Sequence, residues 1–331
     1  PNTQFQLDFF STYTLDDTGY GEARRYLGST NITTDGSGDA TFTVTLPQAV
    51  QGRYLCATAT DPNGNTSEMG PCFKADSTIP PLTFTVVNTN DSGPGSLREA
   101  LLQNALTVSA APNTIAFSIP GTGPHTIAPA SALPPLLEPA VLDGFTQPGA
   151  SVNTLPAGNN ALLQIRLDGN AAGTGVDGLS LQGSNNVVRG VCIVRFKGDG
   201  VQITAGHNTV AGCFIGSDLD GSEQGNTQTG VIISEAPDHT IGGTSPAARN
   251  VISGNNSRGV DIYGDGATGN LVAGNFIGTG LSGSGDVGNT FYGVQVSSAG
   301  NTIGGTVTAA RNVVSGNNYS GIVLNATGAS N

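Results

Sequence analysis

Residues 208–269 and 270–331 are two copies of one 62-residue unit, and this period limits the fold more than any single motif in the chain. His239-Thr-Ile-Gly-Gly243 returns as Asn301-Thr-Ile-Gly-Gly305, and Ala248-Arg-Asn-Val-Ile-Ser-Gly-Asn-Asn256 as Ala310-Arg-Asn-Val-Val-Ser-Gly-Asn-Asn318. Gly212-Cys-Phe-Ile-Gly216 returns as Gly274-Asn-Phe-Ile-Gly278. Three matches at one spacing mark a stacked, quasi-one-dimensional fold.

A shorter rhythm lies inside the unit. The pattern Asn-x-aliphatic-x-Gly begins at Asn186, Asn208, Asn250, Asn270 and Asn312, in steps of 22, 42, 20 and 42. Reading 42 as two turns gives a turn of about 21 residues, within the solenoid range, and three turns per unit. Between these marks lie short β-branched pieces such as Val201-Gln-Ile203, Val231-Ile-Ile233, Val260-Asp-Ile262, Val294-Gln-Val296 and Ile322-Val-Leu324. Their alternation is that of half-buried strands, and the Gly, Asn, Asp and Ser between them supply turns. Such short strands cannot pair by hairpins. Pairing in parallel with the equivalent strand one turn on winds the chain into a parallel β-helix. The spacing of a leucine-rich repeat is missing. Asn255, Asn275 and Asn317 each follow a turn glycine, so they are expected to form a ladder of side-chain amides at a corner.

Composition narrows the function. Of 331 residues, 49 are Gly and 11% are charged, as suits a narrow apolar column. A net charge of −12 with 12 Lys plus Arg argues against a nucleic-acid partner. No apolar run reaches the roughly 18 residues of a membrane span. Pro1 is no initiator, and Asn331 falls inside the repeat with no polar capping turn. Both ends therefore read as cut, with a last rung open to another copy. Cys56 and Cys72 are expected to close a loop of about 16 residues, worth roughly 3 kcal/mol. Cys192 and Cys213 are one 21-residue turn apart but out of phase by one residue against Gly190 and Gly212. They form either a diagonal disulfide or two buried thiols. An oxidising, extracellular setting fits this cysteine usage best.

Three segments follow in order. Residues 1–77 read as a small β-sandwich from the alternation in Phe5-Gln-Leu-Asp-Phe-Phe10, Ala40-Thr-Phe-Thr-Val-Thr-Leu46 and Tyr54-Leu-Cys-Ala-Thr-Ala-Thr60, with Asp76-Ser-Thr-Ile-Pro-Pro81 as a linker. Residues 82–150 read as a cap and first rungs. Here Ser96-Leu-Arg-Glu99 has the form of a capping box, opening a helix to about Asn104 with Leu97, Ala100, Leu101 and Ala105 on one face. Residues 151–331 are the β-helix proper. Asp61, Asn63, Asn65 and Glu68 could cradle Ca²⁺, but the EF-hand length and its twelfth-position Glu are missing. They read instead as an Asx-rich turn, as do Asp218, Asp220 and Glu223, and no cofactor is expected.

Phe84-Thr-Val-Val-Asn-Thr-Asn-Asp-Ser-Gly-Pro-Gly-Ser-Leu-Arg-Glu-Ala100 resembles the start of bacterial secreted right-handed parallel β-helix proteins of the CSLREA-domain type. Leu142-Asp-Gly-Phe-Thr-Gln-Pro-Gly149 and the Asn-x-Ile-Gly-Gly and Gly-Asn-Phe-Ile-Gly elements look like the same family, although Gly95 stands where its motif has Cys. The stretch from Phe9 to Glu68 resembles the immunoglobulin-like module that accompanies such β-helices. This resemblance implies an all-β chain, a sandwich followed by a solenoid with one short capping helix. It also implies a secreted or surface repeat protein, and a window cut from a tandem array or a subunit joined head to tail.

A β-helix can also be an enzyme. Glycoside hydrolysis needs two carboxylates flanking the scissile bond, yet Asp199 precedes Gly200-Val201 while Asp261 follows Gly259-Val260, so the two are out of phase. Arg189, Arg195 and Lys197 form the one basic cluster, with Asp199 near enough in sequence to pair with it, and read as a solvated surface patch. His239 takes the slot of Asn301, so it reads as a repeat-position variant. Arg249 and Arg311 repeat with the fold and read as structural. No catalytic residue is assigned. The favoured function is a filament subunit or adhesive stalk whose partners are copies of itself; the alternative is a polysaccharide-binding or polysaccharide-degrading β-helix, a lyase or hydrolase.

Overall fold

A computed structural model describes residues 1–12, 15, 24–44, 46, 53–74 and 80–325. The chain forms two compact units. One comprises Pro1–Leu82 with Leu106–Ala111, the other Thr83–Ala105 with Pro112–Asn331.

In the first unit one antiparallel sheet is described, in the order Arg25–Thr33, Gln4–Thr12, Tyr54–Thr60, Phe73–Lys74. Leu7, Phe9 and Leu27 bury one face, with Leu55, Ala57 and Ala59 packed against them, while Cys56, opposite Phe10, lies on the other. Cys56 and Cys72 are joined by a disulfide. Residues 40–44 are not a strand, because alternation predicts a half-buried extended run and cannot supply a partner edge. The expected sandwich needs a second sheet, and the described residues of this unit form one sheet. Residues 75–79, which hold most of the expected linker, lie outside the described residues, as do 326–331.

The second unit is a parallel β-helix with three faces. The first sheet has eight strands, from Thr83–Val86 through Val187–Arg189 and Thr209–Ala211 to Thr302–Ile303. The second has seven, from His125–Ile127 to Val313–Val314, and the third six, from Leu179–Leu181 to Ile322–Leu324. All their pairings are parallel, for example Val201 on Val231 and Ile203 on Ile233. Inward residues form one aliphatic column that includes Val188, Val210, Ile241, Ile193, Ile215, Val260 and Ile262. Each such burial stabilises by about 1.5–3 kcal/mol.

The turn is longer than the sequence spacing predicts. Asn186, Asn208, His239, Asn270 and Asn301 occupy successive rungs at the corner before the first sheet, in steps of 22, 31, 31 and 31. The 62-residue unit is therefore two turns of 31 residues, not three of 21. Asn250 and Asn312 carry the same Asn-x-aliphatic-x-Gly pattern at a different corner, the one before the second sheet. Both corners need an amide and a glycine at positive φ (Gly212 at 63°, Gly254 at 77°), so one pattern serves both.

Three asparagine ladders result. The expected grouping of Asn255, Asn275 and Asn317 splits between two of them. Asn275 stands between Asn250 and Asn312, accepting at Oδ1 from Asn250 Nδ2 at 2.9 Å and donating from Nδ2 to Asn312 Oδ1 at 3.2 Å. Asn255 and Asn317 belong with Asn226 and Asn289 before the third sheet, with amide-to-amide distances of 2.9–3.0 Å. Glycines make room for this last ladder: a Cβ on Gly200, Gly230 or Gly259 would lie 2.9 Å from the Nδ2 of Asn226, Asn255 or Asn289.

Helix α1 (Leu97–Leu106) packs Leu97, Ala100 and Leu101 into the cluster that holds Val86 and Ile115. Half of the capping box forms: Glu99 N–H donates to Ser96 Oγ at 3.2 Å, while the Glu99 carboxylate accepts from Gln103. Asn104, rather than Ala105, completes the buried face. It donates to Glu138 O and accepts from Asn113.

Cys192 and Cys213 are free and buried. The one-residue phase difference decides this. Cys192 pairs in register with Phe214, so it sits with Phe214, Val251 and Phe276 on the outer side of the second sheet, while Cys213 joins the interior column. Thiols on opposite faces of one sheet cannot bond. Burial pushes the Cys213 thiol up to about 12 and raises Cys192 as well.

Two outcomes follow. Asn255→Ala strands buried donors on Asn226 and removes bonds to Ile215 O and Asn289; it should cost roughly 3 kcal/mol or more, read as a large fall in melting temperature beside a loop control such as Ser222→Ala. A shift no larger than the control's would mean that the ladder is dispensable. Separately, a thiol reagent should titrate no cysteine in the native protein and two after unfolding in denaturant without reductant; two fast native thiols would contradict the burial.

Candidate functional site

The basic cluster lies on the outer surface, and the structure divides it. Arg189 ends a strand of the first sheet and pairs with Asp143 on the rung below, Nη2 to Oδ2 at 2.6 Å. Arg195 sits at the corner after Val191–Val194 with φ 60°. It bonds through Nε to Asp168 Oδ1 at 2.9 Å, and its Nη2 bonds to Asp168 Oδ2. Arg166 holds the same carboxylate through Nη1 and reaches Asp218 Oδ1 through Nε at 2.9 Å. Burial works to raise Asp168, but the hydrogen bond from Arg195, the Asn170 N–H and Arg166 outweigh it and hold the carboxyl below its ordinary range. Lys197 is exposed and lines an open hollow of about 380 Å³ with Asn170, Arg195, Glu223, Thr227 and Asn256.

Asp199 does not join this cluster. The corner at residues 196–198 carries it to the third sheet, where its N–H donates to Asp177 Oδ1 and its Oδ1 accepts from Thr229 N–H, each at 2.7 Å. It continues the column chemistry of the ladders with a carboxylate in place of an amide. Burial raises Asp199 to about 6, despite the Thr229 N–H. Asp261 lies in register with Ile232 and Gln295, and through Ile232 with Gln202. It is thus three places further along the strand than the Asp199 column. Its Oδ2 is 3.5 Å from Arg258 Nη1, and its buried Oδ1 has no partner. Burial raises its carboxyl also.

The Ca²⁺ candidates are held within a turn. Asp61 Oδ1 accepts from the N–H groups of Asn63 and Asn65, and Oδ2 from Asn65 Nδ2, at 2.8–2.9 Å. These bonds hold the Asp61 carboxyl below its usual range, Asn65 contributing most. Glu68 is exposed. The described residues hold no group of three or more His, Cys, Asp and Glu placed to grip a metal ion.

Several polar residues that position the outer surface went unassigned from sequence. Asp143 and Asp168 each cap a 3-10 turn, accepting from Phe145 and Asn170 N–H respectively. The repeated Leu-Asp-Gly at 142–144 and 167–169 was a signal that could have found them. His239 stands in the first ladder between Asn208 and Asn270: Nδ1 accepts from Asn208 N–H at 3.0 Å, and the backbone N–H of His239 donates to Asn270 Oδ1 at 2.9 Å. An accepting Nδ1 requires the neutral ring, and burial lowers the imidazole to about 4.

No family model matches the sequence, and no curated protein matches it. Solved structures similar to the chain include the Family 28 exopolygalacturonase of Yersinia enterocolitica, with 9% identity over 99% of this chain and 83% of that one and a TM-score of 0.19. Values this low carry no inference about this chain's chemistry. The class is defined by the strand pairing itself: a parallel β-helix protein. No helix among the described residues is long and apolar enough to cross a membrane.

The depressed His239 has a measurable consequence. Its unfolded form takes a proton near pH 6.5 and its folded form near 4, so its contribution is present above 6.5 and is lost as pH falls through that window. His239→Asn restores an amide to the ladder and removes this loss. The fall in melting temperature from about pH 7 to pH 4.5 should be smaller in the variant; an equal fall would contradict a neutral, laddered imidazole.

Proposed function

We propose that this chain is a structural β-solenoid of a secreted or cell-surface protein, a segment of a filament or adhesive stalk that stacks on copies of itself. One observation carries the reading: the junction between the two 62-residue copies is an interface of like with like. All three faces pair across it, Thr240–Gly242 on Leu271–Ala273, Val251–Ile252 on Phe276–Ile277, and Val260–Tyr263 on Val294–Val296. Each ladder crosses it as well, through His239 N–H to Asn270, Asn250 to Asn275 and Asn255 to Asn289, all at 2.9 Å. A unit whose lower surface fits its own upper surface is a heterologous, head-to-tail element, and such elements build open stacks. The disulfide between Cys56 and Cys72 supports an oxidising compartment.

Sedimentation and negative-stain microscopy test this reading. Rods that lengthen with protein concentration are the expected result; a monomer of one size at every concentration would overturn self-stacking. The polysaccharide-binding alternative is favoured by a separate observation, an arginine-lined cavity.

A further inference from the structure

The turn that bears Arg249 occurs twice. Pro246–Ala248 form a 3-10 helix ending on Arg249, and Thr308–Ala310 form one ending on Arg311, with closely similar terminal angles (φ −61°, ψ 115° and φ −64°, ψ 122°). Arg249 is fully engaged. Its Nε donates to Gly274 O, Nη1 to Leu155 and Gly158 O, and Nη2 to Pro156 O, and its guanidinium lies 4.6 Å over the Phe276 ring. The Arg311 guanidinium, exposed, has no hydrogen bond or ion pair among the described residues.

Both arginines line one cavity of about 500 Å³, together with Phe276, Pro156, Pro246 and Ser282. No carboxylate among the described residues lines it. Burial disfavours the Arg249 cation first, and the Arg311 charge adds to that. In a chain with twice as many acidic as basic residues (24 against 12), two like-charged guanidiniums share a concave site with no counter-ion. The volume falls within the range of ordinary ligand sites, roughly 300–1,000 Å³.

We propose that this cavity binds a hexuronate unit of an acidic polysaccharide. A free guanidinium grips a carboxylate through two parallel hydrogen bonds, which assigns Arg311 to the anion. Pro156, Pro246 and Phe276 give the lining apolar surface suited to the C–H face of a pyranose, and Ser282 offers a hydroxyl suited to the sugar's own. Arg249 shapes the wall and adds positive potential. Binding here is independent of the filament reading, because Arg311→Gln alters the cavity and not the pairing of rungs.

The test is calorimetric titration of the intact chain with tri-galacturonate, a glucuronate trisaccharide, the methyl ester of tri-galacturonate, and sodium sulfate. At least one uronate should bind, the ester about tenfold or more weaker, and added salt should weaken the acid. Arg311→Gln should lose about tenfold or more in affinity, with Arg311→Lys between the two and the melting temperature unchanged. Absence of binding by both uronates, equal binding of acid and ester, or full affinity in Arg311→Gln would overturn the proposal. Sulfate competing as well as the sugar would overturn the saccharide assignment.

Discussion

The asparagine amide, repeated at three corners, is the interaction on which the rest of the solenoid depends. Strands of two to five residues satisfy their backbone within each sheet, but the chain must leave the sheet at every corner, where a buried N–H has no strand partner. The Asn on the next rung supplies it: its Oδ1 accepts both the N–H and the Nδ2 of the Asn below, as in Asn226 and Asn255. A buried donor left without a partner costs about 1–3 kcal/mol, and the ladders prevent that cost at each corner of each repeated turn. The glycine column and the single aliphatic interior follow from it, because a corner fixed by an amide leaves no room for a side chain and turns the next residues inward.

Fixed corners also explain where variation is tolerated. Between corners the chain carries loops of unequal length: residues 217–228 follow the second sheet in one turn, and 243–249 precede it in the next. The loops cover an outer apolar layer of Leu163, Cys192, Phe214, Val251 and Phe276. The Arg249 clamp, the Asp168 ion-pair group and the hollow at Lys197 all lie on this outer, loop-built surface. Structure is carried by the column and ligand chemistry by what the loops place around it.

Much of this was legible in the residues, and the misreadings have physical causes. The repeat, the parallel pairing and the slot of His239 could all be read, because stacking requires equivalent residues at equivalent positions. The turn length could not, since Asn208 and Asn250 carry one pattern at two corners and sequence does not say which corner an amide turns. The same ambiguity placed Asn275 with Asn255 and Asn317. Asp199 was read as a partner for Arg195 because the two are four residues apart, yet a corner separates them and Asp168 approaches from the rung below. The cysteine question was decidable in principle: a one-residue phase difference in a strand is a change of face.

Native-state hydrogen exchange measures the central claim most directly. The backbone amides of Asn208, His239, Asn250 and Asn255 should exchange only with global unfolding, as slowly as the strand amide of Val231, because side-chain acceptors on the next rung hold them. If these corner amides exchanged as fast as those of the exposed turn at Asp220 and Ser222, the ladders would not be what holds the rungs together.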